Sequence, residues 1–323
     1  MNTQLLEGVS GIERAAELLA AGQVVALPTE TVYGLAGHAL DPEAAARIFE
    51  AKERPYFDPL IVHLPSLDWL DRLTDAAGDS LVQALIRQYW PGPLTLVLPR
   101  RSIVPDIVTA GLDTVAVRMS AHPLFRAVLS RFGKPVAAPS ANRFGRISPT
   151  AAAHVIEELD GRIPLILDGG PCALGVESTI VAPRDGALCL LRAGPVTAGE
   201  LAAHAPILAP PSGSTIQAPG QLRSHYAPRT PFRLLSSAAE SDTYEGPGRA
   251  GLLAWSRSVR PAQFAAMEVL TPRDDPREAA ARLFAAMRRL DSLGLELIVA
   301  EPPPPSGLGV AIMDRLRKAA APR

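Results

Sequence analysis

Leu27–Leu64, LPTETVYGLAGHALDPEAAARIFEAKERPYFDPLIVHL, is the stretch that decides how this chain is read. An apolar strand, Gln23 to Leu27, runs into Pro28-Thr29-Glu30-Thr31-Val32-Tyr33-Gly34, small hydroxyl residues with one aromatic and one glycine. Asp41-Pro42 opens a helix over Glu43 to Lys52, with Asp41 as N-cap and Pro42 in the first turn. Lys52-Glu53-Arg54-Pro55 then leads through a loop to a second strand, Pro59 to Leu64. Hydroxyls at one strand end and a Lys/Arg pair ahead of the next suit a polyanionic ligand. The hydroxyls orient it and the cations neutralise it.

Outward from this stretch, the first 205 residues read as alternating helices and strands. Val9 to Ala21 is an amphipathic helix closed by Gly22, and Leu81 to Tyr89 is another. Strands are expected at Leu94–Leu98, Thr114–Arg118, Val136–Ala138, Leu165–Asp168, Ser178–Ala182 and Leu188–Arg192. A short helix over Thr150–Leu159 is expected to be capped by Ser148-Pro149-Thr150. The pattern is mixed, with hairpin-like pairs late in the segment, and does not follow a regular doubly wound repeat. Residues 206–230 are rich in Pro, Gly and Ser and read as a linker that acts as a lid. Residues 231–323 read as a small Rossmann-like α/β domain: strands at Pro231–Leu235, Gly251–Trp255 and Leu295–Ala300, helices at Pro276–Leu290 and Val310–Ala320.

Bulk composition narrows the classes. The 323 residues are 47% hydrophobic and 20% charged, ordinary for a globular chain with two cores, and the net charge of -1 gives no basic field for nucleic acid. Cys172 and Cys189 have no metal or redox spacing, which fits a reduced cytoplasmic protein. No signal peptide and no run long enough to span a membrane is expected. Only Lys52, Lys134 and Lys318 are lysine among 32 basic residues. In a chain that prefers arginine, a lysine inside the 52–54 cluster points to use of its compact ammonium.

Three further constellations carry chemistry. Thr114-Val115-Ala116-Val117-Arg118 ends a strand on a guanidinium fork suited to a carboxylate or phosphate. Ala138-Pro139-Ser140-Ala141-Asn142 through Ser148 breaks a buried strand into a polar loop that can cradle an anion. Glu177-Ser178-Thr179-Ile180 and Arg192-Ala193-Gly194 repeat the hydroxyl-and-cation theme. No Ser–His–Asp order, metal-ligand cluster or paired-carboxylate motif accompanies them, so such a site acts by positioning and electrostatics. Of six histidines, His63 stands beside the site as a ligand contact and His225 reads as structural. Arg223, His225 and Tyr226 stand together in the linker, Tyr226 as a residue that closes over a pocket.

Residues 8–200 resemble the YrdC-like domain of threonylcarbamoyl-AMP synthases. The resemblance rests on Pro28-Thr29-Glu30-Thr31-Val32-Tyr33-Gly34-Leu35, Lys52-Glu53-Arg54-Pro55, Pro59-Leu60-Ile61-Val62-His63, Trp90-Pro91-Gly92-Pro93-Leu94-Thr95, Val117-Arg118, Pro139-Ser140-Ala141-Asn142, Glu177-Ser178-Thr179-Ile180 and Arg192-Ala193-Gly194. The linker and the ending Gly307 to Leu316 resemble that family's longer, two-domain branch. The resemblance implies a YrdC-like twisted mixed sheet with helices around a polar cavity, plus the smaller Rossmann-like domain. It implies a nucleotidyltransferase that joins L-threonine, bicarbonate or CO2 and ATP into threonylcarbamoyl-AMP and pyrophosphate, for modification of tRNA next to the anticodon. Carried over by position, Thr31, His63, Arg118, Ala138 and Ser178 bind threonine. Lys52, Arg54, Asp58, Thr114, Ser140, Ser148, Arg192 and Tyr226 bind ATP, and Lys52, Arg54 and Arg118 are the catalytic cations. Mg2+ arrives with ATP and has no protein site of its own. The product passes to a tRNA threonylcarbamoyltransferase, with direct tRNA binding weak or absent. Two other readings compete. A double-stranded RNA-binding module conflicts with the net charge. A carbamoyltransferase of the hydrogenase-maturation type needs zinc-finger cysteines, which two cannot supply.

Overall fold

The structure, a computed structural model, describes residues 2–210, 216–246, 248–256 and 261–322. Strands β1 (Gln4–Glu7), β2 (Val25–Leu27), β3 (Gly34–His38), β4 (Ile61–His63), β5 (Leu94–Pro99), β6 (Thr114–Arg118), β7 (Val136–Ala137), β8 (Leu165–Asp168), β9 (Thr179–Arg184), β10 (Ala187–Arg192) and β11 (Ile207–Leu208) form one mixed sheet. Their order is β1-β8-β2-β3-β7-β4-β6-β5-β9-β10-β11. Strands β12 (Phe232–Leu234), β13 (Ala250–Ala254), β14 (Ala266–Val269) and β15 (Leu297–Ala300) form a second sheet, order β12-β15-β13-β14, with every pair parallel. The α/β class and the small parallel second unit are as expected.

Local chemistry sets the elements that carry the site. The helix Pro42–Lys52 starts where the Asp41 carboxylate accepts from the Glu43 and Ala44 amides, and it ends at Glu53 in the left-handed region, so Lys52 is its last residue. In β4 and β6 the parallel register sets His63 beside Arg118, and both strands end at the same edge of the sheet. Strands β9 and β10 form an antiparallel hairpin, as expected for the hairpin-like pairs late in the segment.

Several elements depart from expectation. Strand β3 is glycine- and alanine-rich, with little β propensity. It is a buried strand because the helix above it lies close: a Cβ on Gly37 would stand 3.1 Å from the Ala44 carbonyl oxygen. Strands β1 and β14 and the helix Pro123–Phe132 also lie outside the sequence reading. The helix near Thr150 begins only at Ala152, and its N-cap Ala151 makes no side-chain cap, so Ser148 and Thr150 do not cap it. The Ser148 hydroxyl is used elsewhere.

The two sheets share apolar packing. Val32, Ile147 and Val176 from the first domain and Tyr226 from the linker are buried in one cluster with Leu283, Phe284, Met287, Ile312 and Leu316 of the second. Gly175 makes the approach possible. Its φ is +70°, and a Cβ there would fall 2.3 Å from the Ala280 carbonyl oxygen of the helix Pro276–Asp291. Residues 216–230 of the linker therefore run along a packed seam; residues 211–215 lie outside the described residues.

Candidate active site

A polar cavity opens where β2, β4, β6 and β9 meet the loops that follow or precede them. Thr29, Thr31, Arg54, His63, Arg118, Ser140, Glu177, Ser178, Arg192, His225 and Tyr226 all line it. At one end Arg118 is fixed on three sides. Its Nε donates to the Gly92 carbonyl at 3.1 Å, Nη1 to Thr31 Oγ1 at 3.1 Å and Nη2 to Glu30 Oε1 at 2.7 Å. Ser120 Oγ donates to the other Glu30 oxygen at 2.5 Å. Burial alone would raise the Glu30 carboxyl, but Arg118 and these hydrogen bonds outweigh it and hold it down at about 2. Glu30 is thus the orienting carboxylate of a cation that faces the cavity. His63 beside it is pulled down to about 3 by burial and by the Arg118 charge, so its imidazole is neutral. Its Nδ1 has no hydrogen-bond partner among the described residues. This corner offers a guanidinium, hydroxyls and a neutral imidazole, the set that recognises a hydroxylated amino acid by its carboxylate and hydroxyl.

The other end gathers cations. Arg54 is buried, donating to the Pro59 carbonyl at 2.9 Å and pairing with Asp58 at 2.9 Å. Arg192 donates to the Ser178 carbonyl and hydroxyl, each at 3.0 Å, and to the Pro219 carbonyl at 3.2 Å. Lys52 is fully buried. Its ammonium donates to the Ser140 carbonyl at 2.5 Å and to the Asn142 carbonyl. Burial, then the neighbouring Arg54, hold the Lys52 ammonium well below its usual value. Arg54 and Arg192 face the cavity, with the Lys52 charge behind its wall, so this end is suited to polyanionic charge.

The linker forms the wall opposite. Tyr226 has φ +62°, a left-handed conformation uncommon for a non-glycine residue, and is almost wholly buried. Its ring stacks on Phe284 with centroids 5.6 Å apart and lies 5.3 Å below the Arg315 guanidinium. Gly220 makes room for it, since a Cβ there would lie 2.7 Å from the Tyr226 hydroxyl. With the linker so placed the cavity has a free volume of about 40 Å3. Pockets for nucleotide-sized ligands run to roughly 300–1,000 Å3.

The cavity thus joins Thr31, His63, Arg118, Ala138 and Ser178 with Arg54, Ser140, Arg192 and Tyr226. Four expected residues do not line it. Lys52 sits behind Ser140 and Asn142, holding their loop by the carbonyls. Asp58 sits behind Arg54. Ser148 donates to Glu177 Oε1 at 2.5 Å from behind that carboxylate. Thr114 stands at the opposite end of β6 from Arg118, in register with Pro99, because a five-residue strand separates its two ends by about 13 Å. In the linker, His225 lines the cavity and Arg223 is exposed. Thr29, Glu177 and the buried Arg315 were not singled out beforehand. All three lay inside motifs already quoted, Arg315 in the ending Gly307 to Leu316, but none was given a role at the cavity. Among the described residues no group of three or more His, Cys, Asp or Glu could hold a metal ion.

Fold and cavity together define a YrdC-like α/β protein carrying a second, parallel-sheet domain. The family model described as telomere recombination (Sua5, YciO, YrdC) matches residues 17–194, and the model of the threonylcarbamoyl-AMP synthase C-terminal domain matches residues 194–321. The threonylcarbamoyl-AMP synthase of Pyrococcus abyssi is 40% identical over 328 residues, covering 95% of this chain and 93% of the relative. That of Bacillus subtilis is 40% identical over 324 residues, covering 97% and 93%. The crystal structure of P. abyssi Sua5 complexed with L-threonine matches with a TM-score of 0.89 at 36% identity, over 99% of this chain and 98% of that one. The chain belongs to the threonylcarbamoyl-AMP synthase family and is an enzyme of the nucleotidyltransferase class.

Proposed function

We propose that this chain condenses L-threonine, bicarbonate or CO2, and ATP into threonylcarbamoyl-AMP and pyrophosphate. The observation that carries the reading is the two-ended cavity: Arg118 oriented by Glu30 at one end, Arg54 and Arg192 at the other, within one continuous lining. Threonine's carboxylate pairs with Arg118, and its hydroxyl meets Thr31, Ser178 and neutral His63. The threonine amine adds to CO2 and loses a proton to give a carbamate. A carbamate oxygen then attacks the α-phosphorus, the bond to the β-phosphate oxygen breaks, and pyrophosphate leaves. The carbamate is already an anionic nucleophile, so no strong general base is required. The barrier is crowding of negative charge, which Arg54, Arg118 and Arg192 on the cavity wall offset, with the Lys52 charge behind the Ser140–Asn142 loop. Mg2+ enters as part of the Mg–ATP substrate; Asp58 is held by Arg54 and supplies no cage of its own.

The product serves the threonylcarbamoyl modification of tRNA beside the anticodon and passes to a transferase in the cytoplasm. Two buried free thiols, Cys172 and Cys189, suit that reducing setting. The linker works as a lid. With about 40 Å3 of free volume, it must lift for ATP to enter and can reclose to keep water from the mixed anhydride. The test incubates the full chain with ATP, 13C-bicarbonate and threonine, and follows a 13C-labelled adenylate by mass spectrometry together with pyrophosphate. Both depend on threonine and on bicarbonate, and alanine or valine in place of threonine is strongly disfavoured. Equal turnover with valine would remove the hydroxyl-reading role from Thr31, Ser178 and His63.

A further inference from the structure

The second domain sends one charged side chain wholly into the first. Arg315, on the helix Gly309–Ala320, is fully buried, and its Nε donates to Glu177 Oε2 at 2.8 Å. The other Glu177 oxygen accepts from Ser148. Arg315 Nη1 donates to Asp314 at 2.8 Å, and its Nη2 has no hydrogen-bond partner among the described residues. A buried guanidinium with an unused donor is costly and calls for an explanation.

What it acts on follows from the neighbours. Glu177 lines the cavity and precedes Ser178, whose carbonyl and hydroxyl hold Arg192. The Glu177 carboxylate and the Arg192 guanidinium feel each other's charge directly. Without Arg315, a buried carboxylate next to a buried guanidinium would take it as counter-ion. Arg192 would then be drawn off the Ser178 oxygens and neutralised by Glu177, leaving less charge for a ligand. The same helix also seats the linker. Lys318 Nζ donates to the Gly220 carbonyl at 2.6 Å, the His225 amide donates to the Lys318 carbonyl at 3.2 Å, and Tyr226 lies beneath Arg315.

We propose that Arg315 is a positioning residue for the nucleotide site: by engaging Glu177 it keeps that carboxylate off Arg192 and leaves Arg192 aimed at the ligand's phosphates. This rests on the reading that ATP occupies the Arg54–Arg192 end. The second domain thereby completes the charge arrangement of a site whose lining belongs to the first domain and the linker.

The experiment measures ATP and threonine affinity separately, by calorimetry, on the full chain. Arg315→Met should weaken ATP about tenfold or more and leave threonine within about threefold, because the stranded Glu177 charge acts on Arg192 and not on Arg118. Adding Glu177→Gln removes that charge and should restore ATP affinity to within about threefold of the parent. A packing role predicts the opposite: the double variant stays as weak as the single, or both ligands weaken together, and either result overturns the proposal. If Arg315→Met does not fold, the double variant carries the test. ATP affinity near the parent's supports the proposal and a tenfold loss refutes it. Because the readout is binding, a parent that binds ATP but releases no pyrophosphate would sink the proposed reaction and leave the Arg315 result standing.

Discussion

Two Arg–Glu pairs bracket the cavity with their roles exchanged. At the end proposed to hold threonine Arg118 faces the cavity, and Glu30 stands behind it, finished by Ser120. At the nucleotide end Glu177 faces the cavity, and Arg315 stands behind it, with Ser148 on the other oxygen. The first pair is local to one domain; the second crosses from one domain to the other. The lesson is electrostatic. On the proposed reaction, a site that crowds a carboxylate, a carbamate and a triphosphate needs cations facing inward, each with a partner that does not compete for the ligand. Glu30 supplies this within the first domain. At the other end the partner comes from a helix more than a hundred residues away in sequence.

The comparison breaks most visibly at Arg118. Arg118→Met removes the carboxylate fork and strands Glu30. Threonine affinity should fall on the order of a thousandfold, with ATP affinity little changed, as calorimetry would show. If ATP weakens equally, the two ends are not separate.

Glu30→Gln keeps the shape and removes the orienting charge. Threonine should weaken by about tenfold to a hundredfold, less than for Arg118→Met because the fork itself remains. A full thousandfold loss would make Glu30 a ligand contact and not a support.

A third expectation sharpens the nucleotide end. Burial and Arg54 hold the Lys52 ammonium well below its usual value, and the polyanion should draw it back up. ATP binding should therefore take up protons, and affinity should fall as pH rises through the depressed value. Calorimetry in buffers of different ionisation enthalpy measures the uptake; none at any pH would show that the Lys52 ammonium does not respond to the nucleotide.

The smallest effect is on acid stability. Against burial, Arg118 and the hydrogen bonds hold the Glu30 carboxyl down at about 2 in the folded chain, below the usual 4.5. Its contribution, on the order of 3 kcal/mol, is present above pH 4.5 and is lost as pH falls toward 2. Glu30→Gln should flatten the stability curve across that window, as denaturant titrations would report.

How far the sequence reached follows the same division. The helix Pro42–Lys52 and strands β4, β6 and β8 were readable, because Asp41-Pro42 is a cap signal and those strands are dense in β-branched residues and leucine. Arg118, His63, Ser178 and Arg192 were readable as strand-end polar groups. Strand β3 was not, because its glycines answer to a helix packed above it, which no local pattern reports. Ser148 looked like a helix cap, since serine before a helix usually is one; here a buried carboxylate competes successfully for its hydroxyl. Arg315 lay in the quoted ending Gly307 to Leu316, but its role was not readable there, because only the tertiary fold sets it against Glu177.

The most direct test of the exchanged-role account compares Glu30→Gln and Arg315→Met side by side, with KM measured for threonine and for ATP in each. The account predicts a crossed result: Glu30→Gln raises the threonine constant and spares ATP, while Arg315→Met raises the ATP constant and spares threonine. Two variants that move the same constant, or that lower only kcat together, would contradict it.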